Sequence, residues 1–592
     1  MKIKATILLA AVLTLAASCA PKNGEHKLQI LTTNDVHGTY FDSTYVSDRT
    51  RPSMLAVKYY VDSVRAAVGA GNVLLIDDGD FLQGDNAAYF FNYVDDTEEH
   101  IFTRMAAYMD YDVVVAGNHD IETGHPVYDR ISREFKKEGI PMLAGNAIRN
   151  DNGKPYFPVC TIVRKAGLKV AVLGFDNANI KAWLNESLWS GMHFESLLPL
   201  VQNEVDKVIA KEKPQLVVVA VHSGTGNGDG SVPESQGLDL YNSLTGVDVL
   251  ICAHDHRPFV TEKEGMCLVN SGSHCRNLGH AEVEVTVENG KVTGKSVSAD
   301  LIRVDASKAD PEMRKAFQAD YDKVKAFTLK EVGELAMDLD LSEPFKGMSD
   351  YINFIHTVDL ASCPADISIV APLAQRGVIP AGKLIYNDLF TLYQYENQLF
   401  LIKMTGEEVV KYLEVSYDQW INTVSGKGKD EHVLKIGSRP DPRGGKGHWG
   451  FLGATFNFDS MAGICYTVDV TKPFGERITV SSMADGTAFD TAATYKVAIT
   501  SYRASGGGGL MGRVGIDTDN IDERVIEKYP EIRELMYDYI LEHGVIDRTL
   551  VGDENIIGHW EFVPEDIACP AIEADMDLVY GMPEPPMPPK EF

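Results

Sequence analysis

A chain of 592 residues is too long for one hydrophobic core and has to divide into domains. Its composition, 44% hydrophobic and 24% charged, is ordinary for a soluble globular protein. A formal charge of −30 argues against a surface built to hold a nucleic-acid polymer, so any phosphate-bearing ligand must be attracted locally.

Lys2 and Lys4 precede an apolar stretch from Ala5 to Ala17 that is too short to stay in a bilayer as a resident helix. It ends in Leu15-Ala16-Ala17-Ser18-Cys19, which resembles a bacterial lipobox with Cys19 as the lipidated first residue of the mature chain. Ala16 stands where Leu is more usual. Residues 1–19 therefore read as an export signal. The mature protein is expected in the periplasm or at the cell surface, held to the outer membrane by a lipid anchor. No later segment is long and apolar enough to span a membrane. The remaining cysteines (Cys160, Cys252, Cys267, Cys275, Cys363, Cys465 and Cys569) are odd in number and lack C-x-x-C spacing, a poor disulfide framework. One bridge, Cys267 to Cys275, is the pairing considered; the others read as small buried hydrophobes.

From residue 26 to 305 the pattern is strand, polar loop, helix, repeated. Leu28–Leu31, Val73–Ile76, Asp112–Val115, Leu168–Leu173, Leu216–Val221 and Val247–Ile251 are short, largely apolar runs of the kind that form strands covered on both faces. Helices are predicted between them, for example over Met54–Val68 and Leu197–Lys211. This is an α/β layered domain whose active residues sit on loops leaving strand ends. Residues 306–338 are predicted to be a helical linker, with Pro311 near the start of its charge-mixed segment Ser307–Glu334. Residues 339–560 again mix helix and strand, without metal-type clusters but with Gly and aromatic residues, notably Tyr502-Arg503-Ala504-Ser505 followed by Gly506 to Gly509. The tail, 561–592, is rich in Pro and acidic residues and is expected to be extended or disordered.

Five polar clusters, each directly after an apolar run, carry the chemistry: Asn34-Asp35-Val36-His37-Gly38, Asp78-Gly79-Asp80, Gly117-Asn118-His119-Asp120, Val221-His222-Ser223-Gly224 and Ala253-His254-Asp255-His256. A D-x-H step on extended chain turns Asp35 and His37 to the same side. The two oxygens of Asp80 can bridge two cations, and Asn118 offers a neutral amide oxygen. His222 and His254 fill a second position, and His256 turns back to the first. The expected set is Asp35, His37, Asp80 and His256 for one cation, and Asp80, Asn118, His222 and His254 for the other. A single strand-end histidine is most often a hydrogen-bonded loop residue; five such fragments in order are not explained that way. Mixed imidazole and carboxylate ligands suit Zn, Mn, Fe or Co. Two cations that close are equipment for in-line displacement at phosphorus.

The order and wording of these clusters resemble the 5′-nucleotidase family of calcineurin-like metallophosphoesterases. The family signatures D-x-H, G-D-x-x-Q-G, G-N-H-[ED], H-[ST]-G and G-H-x-H all occur, with Ala253 replacing the Gly before His254. The resemblance covers nearly the whole mature chain. It implies a four-layer α/β/β/α metallophosphoesterase domain joined by the helical linker to an α+β nucleotide-binding domain. It also implies two divalent metal ions, a nucleotide substrate and hydrolysis of a phosphate ester. His119 then stands at the family's catalytic histidine. Its partner acid lies three residues on, as Glu122 where Asp or Asn is usual, with Asp120 as the alternative. In the C-terminal half, Arg376-Gly377, Phe456-Asn457-Phe458-Asp459 and the run from Tyr502 resemble most the branch containing 2′,3′-cyclic-nucleotide 2′-phosphodiesterase/3′-nucleotidase. There the resemblance implies that two aromatics sandwich the base: Tyr502 and either Phe456 or Phe458, with Phe456 favoured. Arg376 is placed near the substrate. The position six residues after Tyr502 is acidic in some 5′-nucleotidases but is Gly508 here, which favours the cyclic-nucleotide branch. The alternatives are a 5′-nucleotidase or UDP-sugar hydrolase, and a non-catalytic nucleotide-binding surface lipoprotein.

Overall fold

A computed structural model describes residues 21–428, 431–439, 448–518 and 520–581. The export signal with Cys19, and the tail from 582 onward, lie outside the described residues. The chain forms two compact units, Met1–Lys181 with Glu186–Val324, and Ala182–Asn185 with Lys325–Phe592.

The first unit is built on twelve strands: β1 Gly24–Thr33, β2 Val73–Asp77, β3 Val113–Val115, β4 Met142–Leu143, β5 Cys160–Lys165, β6 Leu168–Phe175, β7 Leu216–Val221, β8 Val249–Cys252, β9 Phe259–Lys263, β10 Met266–Asn270, β11 Asn277–Glu288 and β12 Lys291–Arg303. They make two six-stranded sheets, in the orders β12-β11-β1-β2-β3-β4 and β9-β10-β8-β7-β6-β5. In the first sheet β1 to β4 are parallel and β11 pairs antiparallel with both β1 and β12; in the second β10, β8, β7 and β6 are parallel and the edge strands β9 and β5 antiparallel. Alternation along each strand decides what packs where. Leu28, Ile30, Leu74, Ile76, Val113 and Val115 of the first sheet share one core with Val170, Val172, Val218, Ala220, Val249 and Ile251 of the second. The opposite face of the second sheet, with Leu173, Val219 and Leu250, packs on Leu197, Val201 and Val205 of helix Leu197–Glu212. Helix Met54–Val68 buries Met54, Leu55, Val57 and Val61. It begins because the Ser53 side chain accepts from Ala56 N–H, and it ends at Gly69, whose φ of 88° suits no other residue well. The outcome is the four-layer α/β/β/α arrangement.

In the second unit a five-stranded sheet runs Ser460–Ala462, Ile367–Val370, Thr494–Thr500, Gln398–Thr405, Val525–Glu531 in spatial order. A three-stranded sheet of Ile478–Met483, Ile464–Asp469 and Trp560–Val563 adds to it. Trp420, Tyr417, Phe458, Trp560 and Phe562 form its aromatic core.

Three expectations need correction. The linker is helical over Pro311–Ala316 and Gln318–Thr328, but Glu331–Leu335 is a strand paired with Gly382–Ile385 in the second unit. The tail is neither wholly extended nor disordered over its described part: after the strand Trp560–Val563 it forms a helix, Glu565–Tyr580. That helix buries Ala568, Ile572, Asp575, Met576 and Val579, a helical spacing masked by the acidic residues between them. All seven described cysteines are free thiols, Cys267 and Cys275 among them. Among the described residues no helix is long and apolar enough to cross a membrane.

The inter-sheet core sets a stability expectation. Ile76, fully buried between the sheets, should cost about 2–5 kcal/mol when changed to Ala. Exposed Val260 should cost less than about 0.5 kcal/mol. Paired urea-unfolding curves measure both.

Candidate metal centre

All five polar clusters emerge at the C-terminal ends of β1, β2, β3, β7 and β8. Asp35 N–H donates to Gly79 O at 2.8 Å and His37 N–H to Asp80 O at 3.0 Å, which ties the first loop to the second. The second sheet joins through His254, whose N–H donates to the two oxygens of Asp35 at 3.2 and 3.0 Å. Ligand-type atoms converge in two groups, Asp35, His37 and His256, and Asp80, His222 and His254, with the atoms of each group within 4.8 Å of one another. Asn118 lies beside the second group, its Oδ1 2.8 Å from His254 Nδ1. The groups adjoin: Asp35 Oδ1 is 3.9 Å from His222 Nε2.

The residues meet by a different backbone route from the one expected. Extended chain was to present Asp35 and His37 on one side, yet both are left-handed, with φ of 48° and 47°. Asp80, His254 and His256 share that region at 57°, 69° and 57°. Non-glycine residues there carry a conformational cost of order 1 kcal/mol each. Tight turns, not extended alternation, bring the side chains inward.

The donor set fits a pair of cations. His222 Nδ1 lies 2.6 Å from the Asp78 carbonyl, so its hydrogen is committed there and Nε2 faces Asp80 Oδ2 at 3.0 Å. A proton or a cation can occupy that position, and the Asp80 and Asp35 carboxylates, overcoming the effect of burial, raise the His222 pKa well above its ordinary value. In the other group His37 Nε2 and His256 Nε2 stand 2.9 Å apart, with Asp35 Oδ1 3.4 Å from His256 Nε2. Burial pushes His37 down to about 4 and His254 to about 3, so both are neutral imidazoles with a lone pair to give. Burial opposes ionisation of Asp80, yet the charges of His222 and His119 hold its carboxyl below the usual range.

His119 begins where this pit opens. Its backbone N–H donates to Asp80 Oδ1 at 2.8 Å, its ring centroid is 5.5 Å from that of His37, and its Nδ1 is 2.5 Å from Glu122 Oε2. Nδ1 is thereby held, and Nε2 is the nitrogen able to hand on a proton.

In the second unit burial separates the two phenylalanines. Phe458 is 1% exposed and stacks on Trp420 at 5.3 Å, a core residue. Phe456 is 37% exposed and lines a cavity of about 470 Å³ with Arg376, Gln375, Trp449 and Val579. Arg376 donates to Val579 O at 2.8 Å, with its guanidinium 4.7 Å over the Tyr580 ring. Tyr502 is half-buried, its ring laid against Gly507, where a Cβ would come within 2.4 Å of it.

Residues 28–258 match the calcineurin-like phosphoesterase family model, and residues 328–513 match the 5′-nucleotidase C-terminal domain. The chain belongs to the 5′-nucleotidase-type calcineurin-like phosphoesterases. It is 24% identical to the trifunctional nucleotide phosphoesterase protein YfkN of Bacillus subtilis over 91% of its own length and 39% of that protein's, so it spans well under half of that relative. It is 22% identical to the 2′,3′-cyclic-nucleotide 2′-phosphodiesterase/3′-nucleotidase of Haemophilus influenzae over 95% of this chain and 91% of the other. A crystal structure of a putative 5′-nucleotidase from Staphylococcus aureus shares the fold at TM-score 0.73 and 19% identity, covering 90% of this chain and 99% of that one. As a member of this family the chain is a metal-dependent phosphoester hydrolase.

Sequence reasoning missed two features of the phosphoesterase unit. Asp120 does not face His119. Its Oδ2 accepts N–H groups of Asp80 and Gly117 at 3.0 and 2.8 Å, and its Oδ1 those of Phe81 and Leu82, both at 3.0 Å. One buried carboxylate thus fixes the loop that carries Asp80. Gly117 is the second: a Cβ there would lie 2.2 Å from Asp80 Oδ1 and 2.7 Å from His222, so only glycine fits between the ligands. Asp five residues after the strand and Gly before Asn were both visible in the sequence, but only as parts of a motif.

Stripping the phosphoesterase with a chelator should abolish hydrolysis, and divalent cations should restore it. Metal analysis should return two equivalents per chain, and at most one after His222→Ala. Because proton and cation compete at His222, affinity should fall as pH falls, which titration calorimetry in two buffers would read as proton release. Asp120→Asn places an NH2 against backbone donors and should cost about 1–3 kcal/mol with reduced metal content.

Proposed function

We propose that this protein removes phosphate from nucleotides, acting as a 2′,3′-cyclic-nucleotide phosphodiesterase/3′-nucleotidase or a 5′-nucleotidase, with the first chemistry ahead. The observation that carries the reading is the pair of Asp/His groups beside His119, on a chain whose second unit is a nucleotidase C-terminal domain. The named activities of the Bacillus and Haemophilus relatives support it. Asp35, His37 and His256 would hold one divalent cation, and Asp80, His222, His254 and Asn118 the other, with Zn, Mn, Co and Fe as candidates and Asp80 assigned as the shared ligand. Bound there, such cations supply positive charge to the phosphate and make water a better nucleophile. The remaining work falls to side chains. His119 donates a proton from Nε2 to the leaving oxygen or stabilises charge in the transition state, and Glu122 fixes its tautomer through Nδ1. In the second unit Phe456 and Tyr502 take the two faces of the base, with Arg376 near the substrate.

We also assign the chain to the periplasm or the cell surface, as a lipoprotein anchored to the outer membrane through Cys19 and serving nucleotide scavenging. The apolar stretch before Cys19 supports this. A different function on the same scaffold, nucleotide binding without turnover, is disfavoured because every expected ligand is present and the ligands meet.

His119→Ala should lower kcat by about two orders of magnitude or more with metal content unchanged. Near wild-type turnover would remove His119 from the mechanism. Phosphate release from AMP, 3′-AMP, 2′,3′-cyclic AMP and UDP-glucose with Mn, Zn and Co in turn ranks the substrates; release from none of them sinks the nucleotidase reading. Cys19→Ser should abolish palmitate labelling and free the protein from the membrane fraction.

A further inference from the structure

We infer that Arg503 is a positioning residue that holds the Phe456 and Tyr502 faces in register for one base. The inference rests on the nucleotide reading above, since it gives those two rings a shared ligand.

Arg503 is 3% exposed, and all five of its guanidinium hydrogens are spent inside the protein. Nε donates to Asp459 Oδ2 at 2.9 Å and Nη2 to Asp459 Oδ1 at 3.0 Å, a forked ion pair. The other bonds go elsewhere. Nη2 donates to the Phe456 carbonyl at 2.7 Å, and Nη1 to Asn457 Oδ1 at 3.0 Å and the Gly507 carbonyl at 2.7 Å. Asp459 is itself anchored: Tyr412 donates to its Oδ2 at 2.6 Å, and Ser416 to its carbonyl at 2.7 Å.

The pair with Asp459 alone would neutralise the buried charge. The three further bonds reach the backbone of Phe456, the residue after it, and Gly507, on which the Tyr502 ring rests. Arg503 is the chain neighbour of Tyr502, so one guanidinium joins the segment under one ring to the backbone of the other. Gly508 completes the fit. Its φ is +71°, and a Cβ would meet Asn457 Oδ1 at 2.3 Å and Arg503 Nη1 at 2.4 Å. Any larger side chain at that position, an acidic one included, has no room here. With every donor engaged, Arg503 has none for the substrate and acts through the rings.

The test compares kcat/KM for 3′-AMP and AMP with that for glycerol 2-phosphate, which has no base. Arg503→Lys keeps the charge but loses the fork, and should lower the nucleotide-to-glycerol-phosphate ratio on the order of tenfold, mainly through KM, as loss of base stacking would. Gly508→Ala, which keeps Arg503 and wedges the clamp open, should do the same and decides the matter if Arg503→Lys does not fold. In a Tyr502→Ala background, Arg503→Lys should lower the ratio no further. The inference is overturned if Phe456→Ala and Tyr502→Ala lower the ratio while Arg503→Lys and Gly508→Ala leave it unchanged. It is equally overturned if the two clamp variants slow both substrates alike, which marks general destabilisation. If the ring variants themselves leave the ratio unchanged, the base-binding reading falls first.

Discussion

A carboxylate taken out of water with nothing to balance it costs several kcal/mol, a large share of a domain's whole stability. The first unit nevertheless buries Asp35 and Asp80, both at most 1% exposed, within reach of the same histidine. Much of its architecture answers that problem. Two sheets are stacked so that five loops open at strand ends, and each loop turns sharply enough to aim an imidazole or a carboxylate at a common place. Burial keeps His37 and His254 neutral, which makes them ligands rather than counter-ions. His222 instead answers the Asp80 and Asp35 carboxylates with a raised pKa, at a position where a proton or a cation can stand.

The backbone cost of that arrangement is met locally. Left-handed turns at Asp35, Asp80 and His254 persist because their N–H and C=O groups are engaged by the neighbouring loops, and because Asp120 gathers four N–H groups around the Asp80 turn. The second unit uses a comparable device with opposite charge. There a buried guanidinium, not a carboxylate, collects carbonyl and side-chain oxygens from two segments. In both cases one multidentate side chain replaces a run of regular secondary structure as the organiser of irregular chain.

Much of this was legible in the sequence. Met54–Val68 was bounded to the residue, because Ser53 and Gly69 are local start and stop signals that need no tertiary help. Leu216–Val221 was equally plain as an unbroken apolar run between polar loops. The metal-type residues could be read from residue type and order, which survive any detail of the loops. What could not be read was conformation at single residues: nothing in Asp35-Val36-His37 announces two left-handed turns, since the strain is sustained by partners far away in the chain. The same holds for Asp120, whose role depends on four amides rather than on a neighbour in sequence. The C-terminal helix was missed for a different reason. Its acidic and proline-bearing composition outweighed a 3.6-residue spacing that was there to be counted.

That helix has a practical corollary for anyone working with the second unit in isolation. Asp575 accepts from Leu434 N–H at 2.8 Å and lies 2.5 Å from His432 Nδ1, bracing the chain just before the Ile436–Arg439 strand, whose hairpin partner carries Trp449. Val579 and Tyr580 seat the guanidinium of Arg376. A recombinant fragment trimmed to the 328–513 domain limits would keep Arg376, Phe456 and Tyr502 yet lose the scaffold around the first of them, so its ligand affinity would speak for a different pocket from the one in the whole chain.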